Sequence, residues 1–261
     1  MRAGIITGSG TETWPGLDGP VTRTFATRYG QVVLTEGKAG GAEVLHLARH
    51  EAGHRRLPGH VNHRANLAAL LDAGADCLIS LTVCGAVDPG VPPGTVIVFD
   101  DLYFPGNRLP DASLCTWHDT PGAAGRGHWI FGLPFSEPVR AALIEAGRAT
   151  GAPVLAGGCY GHVDGPRFNS RAEIAALARC GVTALSQTAG PEVVLAGEAG
   201  LPMALAGYVT DYANGVGEPE PVEALLARMR QSAGILAALV EQVLPRIGEL
   251  GPVGVVHRFD P

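Results

Sequence analysis

Short apolar runs bounded by glycine or proline alternate along the chain with longer segments in which apolar residues recur every three or four positions. The short runs predict strands at residues 3–6, 31–35, 43–47, 77–83, 95–99, 157–162, 184–186 and 203–209. The longer segments predict helices at residues 61–73, 137–150, 170–179, 191–199 and 221–243. Strands that alternate with helices predict an α/β domain in which a mixed sheet is flanked by helices.

One segment, residues 104–132, follows neither pattern. It holds Pro105, Pro110 and Pro121 together with several glycines, and its apolar residues show little periodicity. A loop of this length inside a compact domain is typically functional, as a lid or as a contact between subunits. The chain shows no internal repeat, linker or low-complexity stretch, so we predict a single domain over residues 1–261.

The composition narrows the class of protein. Hydrophobic residues make up 46% and charged residues 17% of the 261 positions, which is enough apolar surface for a large core. The formal net charge is −6, and the basic residues are spread along the chain rather than clustered. A nucleic-acid-binding surface normally shows clustered Lys and Arg. We therefore expect no nucleic-acid partner.

Cysteine content and hydropathy indicate the cellular compartment in which the protein is expected. The five cysteines are an odd number and form no CxxC pair, so neither a disulfide framework nor a zinc cluster is indicated. This pattern favours a reducing cytoplasm. The chain begins directly with a strand-like run, and no apolar stretch reaches the roughly 18 residues that span a bilayer. We expect no signal peptide and no membrane segment.

Four short motifs follow predicted strands or open a predicted helix: TGSG at residues 7–10, LARH at 47–50, TVCG at 82–85 and TAGPE at 188–192. Glycines let a backbone approach a ligand closely, while hydroxyls and an arginine are the groups that bind an oxyanion. Each motif alone is more typical of a turn that ends a strand. Because all four lie near strand ends, they are able to converge on one pocket.

The segment His50–His54 also matches HExxH, the pattern of zinc proteases, and His60 stands where a third ligand would. That chemistry needs both histidines one turn apart on a helix, with Glu51 as the general base. Gly53 within the turn and Pro58 shortly after it disfavour a sustained helix. A zinc peptidase is therefore a less favoured alternative, and we expect no metal.

Longer stretches, in order along the chain, resemble the purine nucleoside phosphorylase superfamily, and in detail its methylthioadenosine phosphorylase branch. LARH with VNHRAN at 61–66 is similar to that family's ARHG…VNYxAN, and PGVPPGTVIV at 89–98 to its PGD[IL]V[IV] element. VDGPRFNSRAE at 163–173 is similar to EGPRFSSRAE, and SQTAGPEVVLA at 186–196 to NMTTVPEVVLA. The resemblance implies a single nucleoside phosphorylase domain with a twisted, partly barrel-like mixed sheet.

The resemblance also implies the roles of individual residues. Phosphate is expected to bind to Ser9, Arg49, His50, Thr82, the amide of Val83, and Thr188. The purine base is expected against Phe168, Asn169, Thr210 and Asp211. The sugar and its 5′ substituent are expected near Gln187, His54, Val222, Leu225 and His128, the last reaching the ligand of a neighbouring subunit. Asp211, Arg49 and His50 are the expected catalytic residues.

Asp164 replaces the family's Glu, a conservative change, and three other departures bear on the expected site. Glu51 stands where the family carries glycine, which places a carboxylate near an anion site. Gln187 replaces a methionine beside the ribose hydroxyls. Ala213 replaces the second aspartate of the branch signature, two positions after Asp211. These departures bear on phosphate affinity, sugar choice and base choice respectively.

The implied reaction is phosphate-dependent cleavage of the N-glycosidic bond of a purine nucleoside. Asp211, where 6-oxopurine enzymes carry Asn, and Asn169, where they carry Glu, favour 5′-methylthioadenosine, giving adenine and 5-methylthioribose 1-phosphate. A 6-oxopurine or methylthioinosine phosphorylase and a hydrolytic nucleosidase stay open as alternatives. We expect phosphate as co-substrate, no cofactor, and a homotrimer or a dimer of trimers.

Overall fold

The computed structural model describes residues 1–9, 14 and 16–259, and its centre is a mixed sheet of eleven strands. The described residues form thirteen strands: β1 Arg2–Thr7, β2 Asp18–Thr27, β3 Gly30–Ala39, β4 Ala42–Ala48, β5 Cys77–Ala86, β6 Val96–Val98, β7 Asp101–Tyr103, β8 Gly127–Ile130, β9 Val154–Ala156, β10 Cys159–His162, β11 Val182–Ser186, β12 Met203–Tyr212 and β13 Val255–Arg258. Five α-helices accompany them: α1 His63–Asp72, α2 Glu137–Ala149, α3 Arg171–Arg179, α4 Ala189–Glu198 and α5 Val222–Val243.

Strand β5 is the centre of the sheet because it pairs with three other strands. The main path runs β2-β3-β4-β1-β5-β11-β10-β7, and β12 pairs with the other edge of β5 before leading to β6 and β9. The sheet is therefore branched at β5. The α/β class and the single mixed sheet flanked by helices are confirmed.

Strand β5 changes partner partway along one edge. Strand β1 pairs with it as far as Ser80, and β11 joins it only at Gly85 and Ala86. In the part of the chain that the structure describes, no strand pairs with this edge at residues 81–84. The parallel strands β1 and β4 end beside this gap. Ligands of open α/β sheets bind outside such carboxyl ends, so the gap marks the place for a site.

Helices cover both faces of the sheet. Helices α1 and α4 pack on one face, where Leu67 and Val193 are buried, and α2 and α5 pack on the other, where Leu143 and Leu239 are buried. Alternate residues of β5 enter the two cores, which explains why this strand reads as a continuous apolar run.

Five strands were not predicted from the sequence: β2, β7, β8, β9 and β13. Strand β2 is exposed along nearly its whole length, so it lacks the alternation of apolar and polar residues that marks a half-buried strand. Strands β7 and β9 have only three residues each. Strand β8 lies inside the long segment 104–132 and pairs antiparallel with β13, which is more than a hundred residues away in sequence. Pairing at that distance leaves no local signal.

None of the described helices meets the length and hydropathy needed to cross a membrane. All five cysteines lie in the described residues and are free thiols.

The turn that follows β4 is not a helix. Residues Ala52–His54 form a short 3-10 turn in which Gly53 has φ 72° and ψ 22°. The imidazoles of His50 and His54 stack with centroids 4.2 Å apart, and no group of three His, Cys, Asp or Glu side chains able to hold a metal is found among the described residues. The helix that HExxH chemistry needs is absent here, which argues against a zinc peptidase.

Glu51, at the start of this turn, has φ 60° and ψ 168°, a backbone conformation populated almost entirely by glycine. This backbone conformation explains why the family pattern has glycine at this position. The carboxylate of Glu51 forms an ion pair with Arg56, and both side chains are 40% exposed.

We predict that Glu51→Gly stabilises the protein by about 1 kcal/mol. Relief of backbone strain contributes about 1–3 kcal/mol, while glycine's chain entropy and the exposed ion pair offset roughly 1 kcal/mol of it. Urea unfolding measures the difference. Glu51→Ala is the matched control, because it removes the carboxylate and keeps the strain, and it should be less stable than the wild type. A glycine variant no more stable than the alanine variant would contradict the strain argument.

Candidate functional site

A cavity of about 300 Å³ opens beside the gap on β5. Of the residues predicted from the sequence, it is lined by Ser9, Arg49, His50, His54, Thr82, Val83, Phe168, Asn169, Gln187, Thr188, Thr210, Asp211 and Leu225. Two predicted residues, Val222 and His128, do not line it. The motifs that lie up to two hundred residues apart in sequence therefore do converge on one pocket.

One end of the cavity is built from strand ends and small residues. Gly8 and Ser9 follow β1, Thr82 and Val83 lie in the gap on β5, and Thr188 stands at the N-cap of α4. A Cβ atom at Gly8 would lie only 2.8 Å from Nη1 of Arg49, so this position requires glycine. Gly10, the last residue of the TGSG motif, lies outside the described residues. Backbone amides and hydroxyls gathered at a helix N-terminus suit an anion, and we call this part of the cavity the anion end.

Arg49 is fully buried and is held by a carboxylate. Its Nε and Nη2 donate to the two carboxylate oxygens of Glu192 at 2.5 and 2.9 Å, and Nη2 also donates to Ser80 Oγ at 2.8 Å. Ser80 Oγ donates in turn to Glu192 at 2.6 Å. Nη1 donates to the carbonyl of Leu81, in the gap on β5, at 3.0 Å. The arginine therefore fills the gap and presents its Nη1 side toward Gly8.

The charge of Arg49 is compensated inside the protein. Burial alone would raise the pKa of Glu192, but the guanidinium of Arg49 and its hydrogen bonds hold that pKa below the usual value. Glu192 is therefore ionised. The anion end of the cavity carries a positive donor but little net positive charge from this pair.

His50 is held in one tautomer. Its Nδ1 lies 2.7 Å from the carbonyl oxygen of Arg56, and because a carbonyl only accepts, Nδ1 carries the hydrogen. Burial first, and then the neighbouring Arg49, lower the pKa of His50 to about 4. At neutral pH this residue contributes an uncharged imidazole to the cavity.

Two further histidines lie behind the anion end. The Nδ1 of His63 is buried without a hydrogen-bond partner among the described residues, 3.9 Å from Glu192 Oε1. Nδ1 of His162 accepts from the amide of Gly190 at 3.3 Å. Burial lowers the pKa of His63 to about 4 and that of His162 to about 3. Since both are neutral, the charge of Glu192 is balanced by Arg49.

Glu51 does not line the cavity, because its carboxylate turns toward Arg56. The replacement of the family's glycine therefore places no negative side chain against the anion end.

The opposite end of the cavity offers an aromatic face and an amide. Phe168 is 62% exposed, so its ring is open to a planar ligand. Beside it, Oδ1 of Asn169 is buried without a hydrogen-bond partner among the described residues. The backbone carbonyl of Asn169 accepts from Asn214 Nδ2 at 2.7 Å. This buried amide oxygen is an acceptor available to a ligand at this end.

Asp211 lies at the same end, near the end of β12. Its Oδ1 accepts from the hydroxyl of Thr210 at 2.7 Å. Burial raises the pKa of Asp211, against the hydrogen bond from Thr210, which lowers it. A carboxyl group with a raised pKa is able to act as a general acid near neutral pH. The position of the second branch aspartate is occupied by the buried Ala213.

Gln187, which was expected beside the ribose hydroxyls, is partly engaged by the loop that carries Phe168. Its Nε2 donates to the backbone carbonyl of Arg167 at 3.1 Å, and a Cβ atom at Gly165 would lie 2.0 Å from its Oε1. The side chain thus supports the loop that carries Phe168, and only Oε1 is left for a sugar hydroxyl.

Two residues assigned to the 5′ region, Val222 and His128, do not line the cavity of the single chain. Val222 is the first residue of α5 and is 59% exposed outside the cavity; Leu225 and Met229, further along the helix, line it instead. His128 lies on β8, with its ring edge-on to Phe259 at 5.2 Å. The prediction that His128 serves the ligand of a neighbouring subunit stays a prediction.

Sequence reasoning missed several residues that shape the site: Ser80, Ser186, Glu192, Asn214 and Met229. Ser186 Oγ lies 3.0 Å from the hydroxyl of Thr82. Glu192 carried one signal, since it is a lone charge among apolar residues in the first turn of a helix. Ser80, Ser186 and Met229 are small or apolar residues on predicted strands and a predicted helix, and Asn214 lies in the turn after β12.

Comparison with known proteins agrees with this site. The family model described as the phosphorylase superfamily matches residues 2–245. The chain is 35% identical over 216 residues to an S-methyl-5′-thioadenosine phosphorylase of Drosophila pseudoobscura pseudoobscura, covering 81% of this chain and 73% of that one. It is 31% identical to a 6-oxopurine nucleoside phosphorylase of Pyrococcus furiosus, covering 94% and 93%.

Among solved structures, the chain is similar to methylthioadenosine phosphorylase from Schistosoma mansoni in complex with adenine. The TM-score is 0.81 at 28% sequence identity, with 93% of this chain and 90% of that chain covered. By sequence and by structure, this chain therefore belongs to the phosphorylase superfamily, as a nucleoside phosphorylase of the methylthioadenosine phosphorylase branch.

Proposed function

We propose that this protein cleaves the N-glycosidic bond of a purine nucleoside with phosphate as co-substrate, and that 5′-methylthioadenosine is its favoured substrate. The products are adenine and 5-methylthioribose 1-phosphate. The observation that carries the proposal is one cavity lined by Arg49 and several hydroxyls as well as by Asp211 and the exposed ring of Phe168. This lining supports an oxyanion site together with an acid and a face for the base. The relatives named for methylthioadenosine phosphorylase support this choice.

The mechanism follows from the charges that develop. As the bond between C1′ and the purine N9 breaks, its electron pair moves onto the purine and the sugar becomes a cation. Asp211, whose pKa is raised by burial, is proposed to bind in its protonated form and to donate its proton to N7 of the departing base. A phosphate oxygen stabilises the sugar cation and then attacks C1′. This reaction uses acid catalysis and charge stabilisation, so the proposal includes no metal and no organic cofactor.

Phosphate is proposed to bind to Ser9, Arg49, His50, Thr82, the amide of Val83, and Thr188. Because Arg49 is balanced by Glu192 and His50 is neutral, this set carries little excess positive charge. The hydroxyls, the Val83 amide and Arg49 donate to phosphate oxygens, whereas Nε2 of His50, which has its hydrogen on Nδ1, accepts from a P–OH group. The sugar cation, which forms beside the phosphate, then supplies the missing positive charge. Such a site favours the transition state over the bound ground state.

Base choice is proposed to depend on Asp211 and Asn169. A protonated Asp211 donates to N7, and its second oxygen is able to accept from a 6-amino group. The amide of Asn169 presents a donor and an acceptor to the ring edge. This arrangement satisfies the hydrogen-bonding groups of adenine.

A second candidate, a 6-oxopurine or methylthioinosine phosphorylase, is favoured by two specific observations. Ala213 removes the second carboxylate that would accept from a 6-amino group, and the amide of Asn169 is equally able to accept from N1–H and donate to O6. The similarity to the Pyrococcus furiosus protein, named as a 6-oxopurine nucleoside phosphorylase, also supports this candidate.

We also propose a homotrimer, or a dimer of trimers, in which segment 104–132 packs against a neighbouring subunit. The exposed apolar side chains of Ile130, Phe131, Leu133 and Val255 on and around β8 and β13 support an interface there. A cytoplasmic location is proposed from the cysteine content.

The function is tested with a panel of 5′-methylthioadenosine, adenosine, 5′-methylthioinosine and inosine, each with and without phosphate. We expect release of the base only when phosphate is present, together with formation of the sugar 1-phosphate. Base released equally well without phosphate would identify a hydrolytic nucleosidase instead.

Arg49→Ala should weaken phosphate binding by roughly tenfold or more. Loss of charge-assisted hydrogen bonds costs roughly 1.5–3 kcal/mol each, and about 1.4 kcal/mol is a factor of ten. The KM for phosphate measures the effect, with the exposed Arg55→Ala as the matched control. Since Arg49→Ala also leaves Glu192 buried and unpaired, the double variant Arg49→Met/Glu192→Met should recover folding without recovering phosphate affinity. Unchanged phosphate dependence in both would remove Arg49 from the site.

Adenine nucleosides should exceed their 6-oxo counterparts by roughly 5- to 150-fold in kcat/KM, because an unpaired buried polar group costs about 1–3 kcal/mol. Asp211→Asn should narrow or invert that ratio, since its amide is able to donate to O6, and adding Asn169→Glu should shift it further. The exposed Asp164→Asn, outside the cavity, is the control. A wild-type protein that prefers the 6-oxopurine substrates would establish the second candidate in place of the first.

A further inference from the structure

Helix α5 brings an arginine to the strand end that carries Asp211. Nη1 of Arg228 donates to the backbone carbonyl of Thr210 at 3.1 Å. Its guanidinium is held by Glu220, with Nη1 and Nη2 donating to the two carboxylate oxygens at 2.5 and 2.8 Å. The Arg228 side chain is 24% exposed. This planar two-bond pairing fixes the arginine more tightly than a single surface contact would.

Thr210 links this ion pair to the acid. Its carbonyl accepts from Arg228, while its hydroxyl donates to Oδ1 of Asp211 at 2.7 Å. Neither Arg228 nor Glu220 lines the cavity, so both act from outside it. An arginine bound to the carbonyl of Thr210 restrains the backbone from which the Asp211 side chain projects.

We propose that Arg228, oriented by Glu220, is a positioning residue that anchors the end of β12 and places a positive charge beside the Asp211 carboxyl. This inference rests on the proposed role of Asp211 as the acid in the phosphorylase reaction. Arg228 and Glu220 were not singled out by the sequence motifs.

The charged and titratable groups around Asp211 come from β5, β12, α5 and the segment before α5. Strand β5 contributes Cys84, whose thiol is neutral because burial raises its pKa. Helix α5 contributes Arg228, and the segment before it contributes Glu220. Tyr208, on β12 itself, lies near Arg228 and has a pKa raised by burial. The neighbouring Asn169 and Asn214 carry no charge.

Arg228 and Glu220 act on the acid in opposite directions. After burial and the Thr210 hydrogen bond, the charge of Arg228 lowers the pKa of Asp211, and the charge of Glu220 raises it. The two residues therefore adjust, in opposite directions, the pH at which Asp211 loses its proton. Activity that depends on protonated Asp211 falls as the pH rises through that value.

The test compares pH profiles of kcat/KM for base release in Arg228→Met and Glu220→Gln. Removing Arg228 should move the basic limb to higher pH, and neutralising Glu220 should move it to lower pH, each by roughly half a unit for charges near the surface. Titration of phosphate itself contributes equally to every profile, so differences between variants isolate the protein groups. Arg228→Met should also lower kcat, because the anchor on Thr210 is lost.

Arg230→Met and Glu223→Gln, exposed on the same helix, are the matched controls for the charge changes. Both variants of the pair break the same ion pair, so a merely structural role would affect both in the same direction. The inference would be overturned if the basic limb of the pH profile moved in the same direction in both variants. It would also be overturned if kcat/KM fell in both variants with no shift of that limb. Failure of the proposed function is distinguishable, since the wild type would then release no base on addition of phosphate. Circular dichroism and thermal unfolding confirm that each variant is folded.

Discussion

The buried ion pair between Arg49 and Glu192 is the interaction on which the arrangement of the site depends. It joins the end of β4 to the first turn of α4, and through Ser80 and Leu81 it ties both to β5. Removing two charges from water is costly, and the cost is offset here by hydrogen bonds to most of the donors and acceptors. Loss of one partner would leave a buried charge, which destabilises proteins by roughly 3–5 kcal/mol. The pair therefore constrains the fold as well as the ligand.

The same ion pair determines the electrostatics of the anion end of the cavity. Neutral histidines surround it, since His50, His63 and His162 are all kept unprotonated by burial. The anion end consequently relies on fixed donors rather than on excess charge. At the other end the only carboxylate, within the described lining of the cavity, is Asp211 with its raised pKa. A site of this kind responds strongly to charge that appears during a reaction.

Much of the fold and of the candidate site could be predicted from the sequence, and the features that were missed have physical reasons. Buried strands such as β5 and amphipathic helices such as α2 carry periodic signals, and the family resemblance identified thirteen of the residues that line the cavity. Strand β2 was missed because it is exposed, and β8 because its partner is remote in sequence. The role of Glu192 was missed because its partner Arg49 lies 143 residues away. Val222 was misplaced because the resemblance identified the helix but not which of its residues face the cavity.

The change of partner along β5 has a consequence for how the protein folds. The gap at residues 81–84 is bounded by the pairing of β1 at Ser80 and of β11 at Gly85, so both pairings must form before the gap exists. These two contacts join parts of the chain about 75 and 100 residues apart. Pairings of such high contact order form slowly, because the loops they close are long. The cavity is thus absent from any partly assembled sheet, and a ligand recognises only the completed one. Phosphate or nucleoside added during refolding should therefore leave the early steps unchanged and trap the final state.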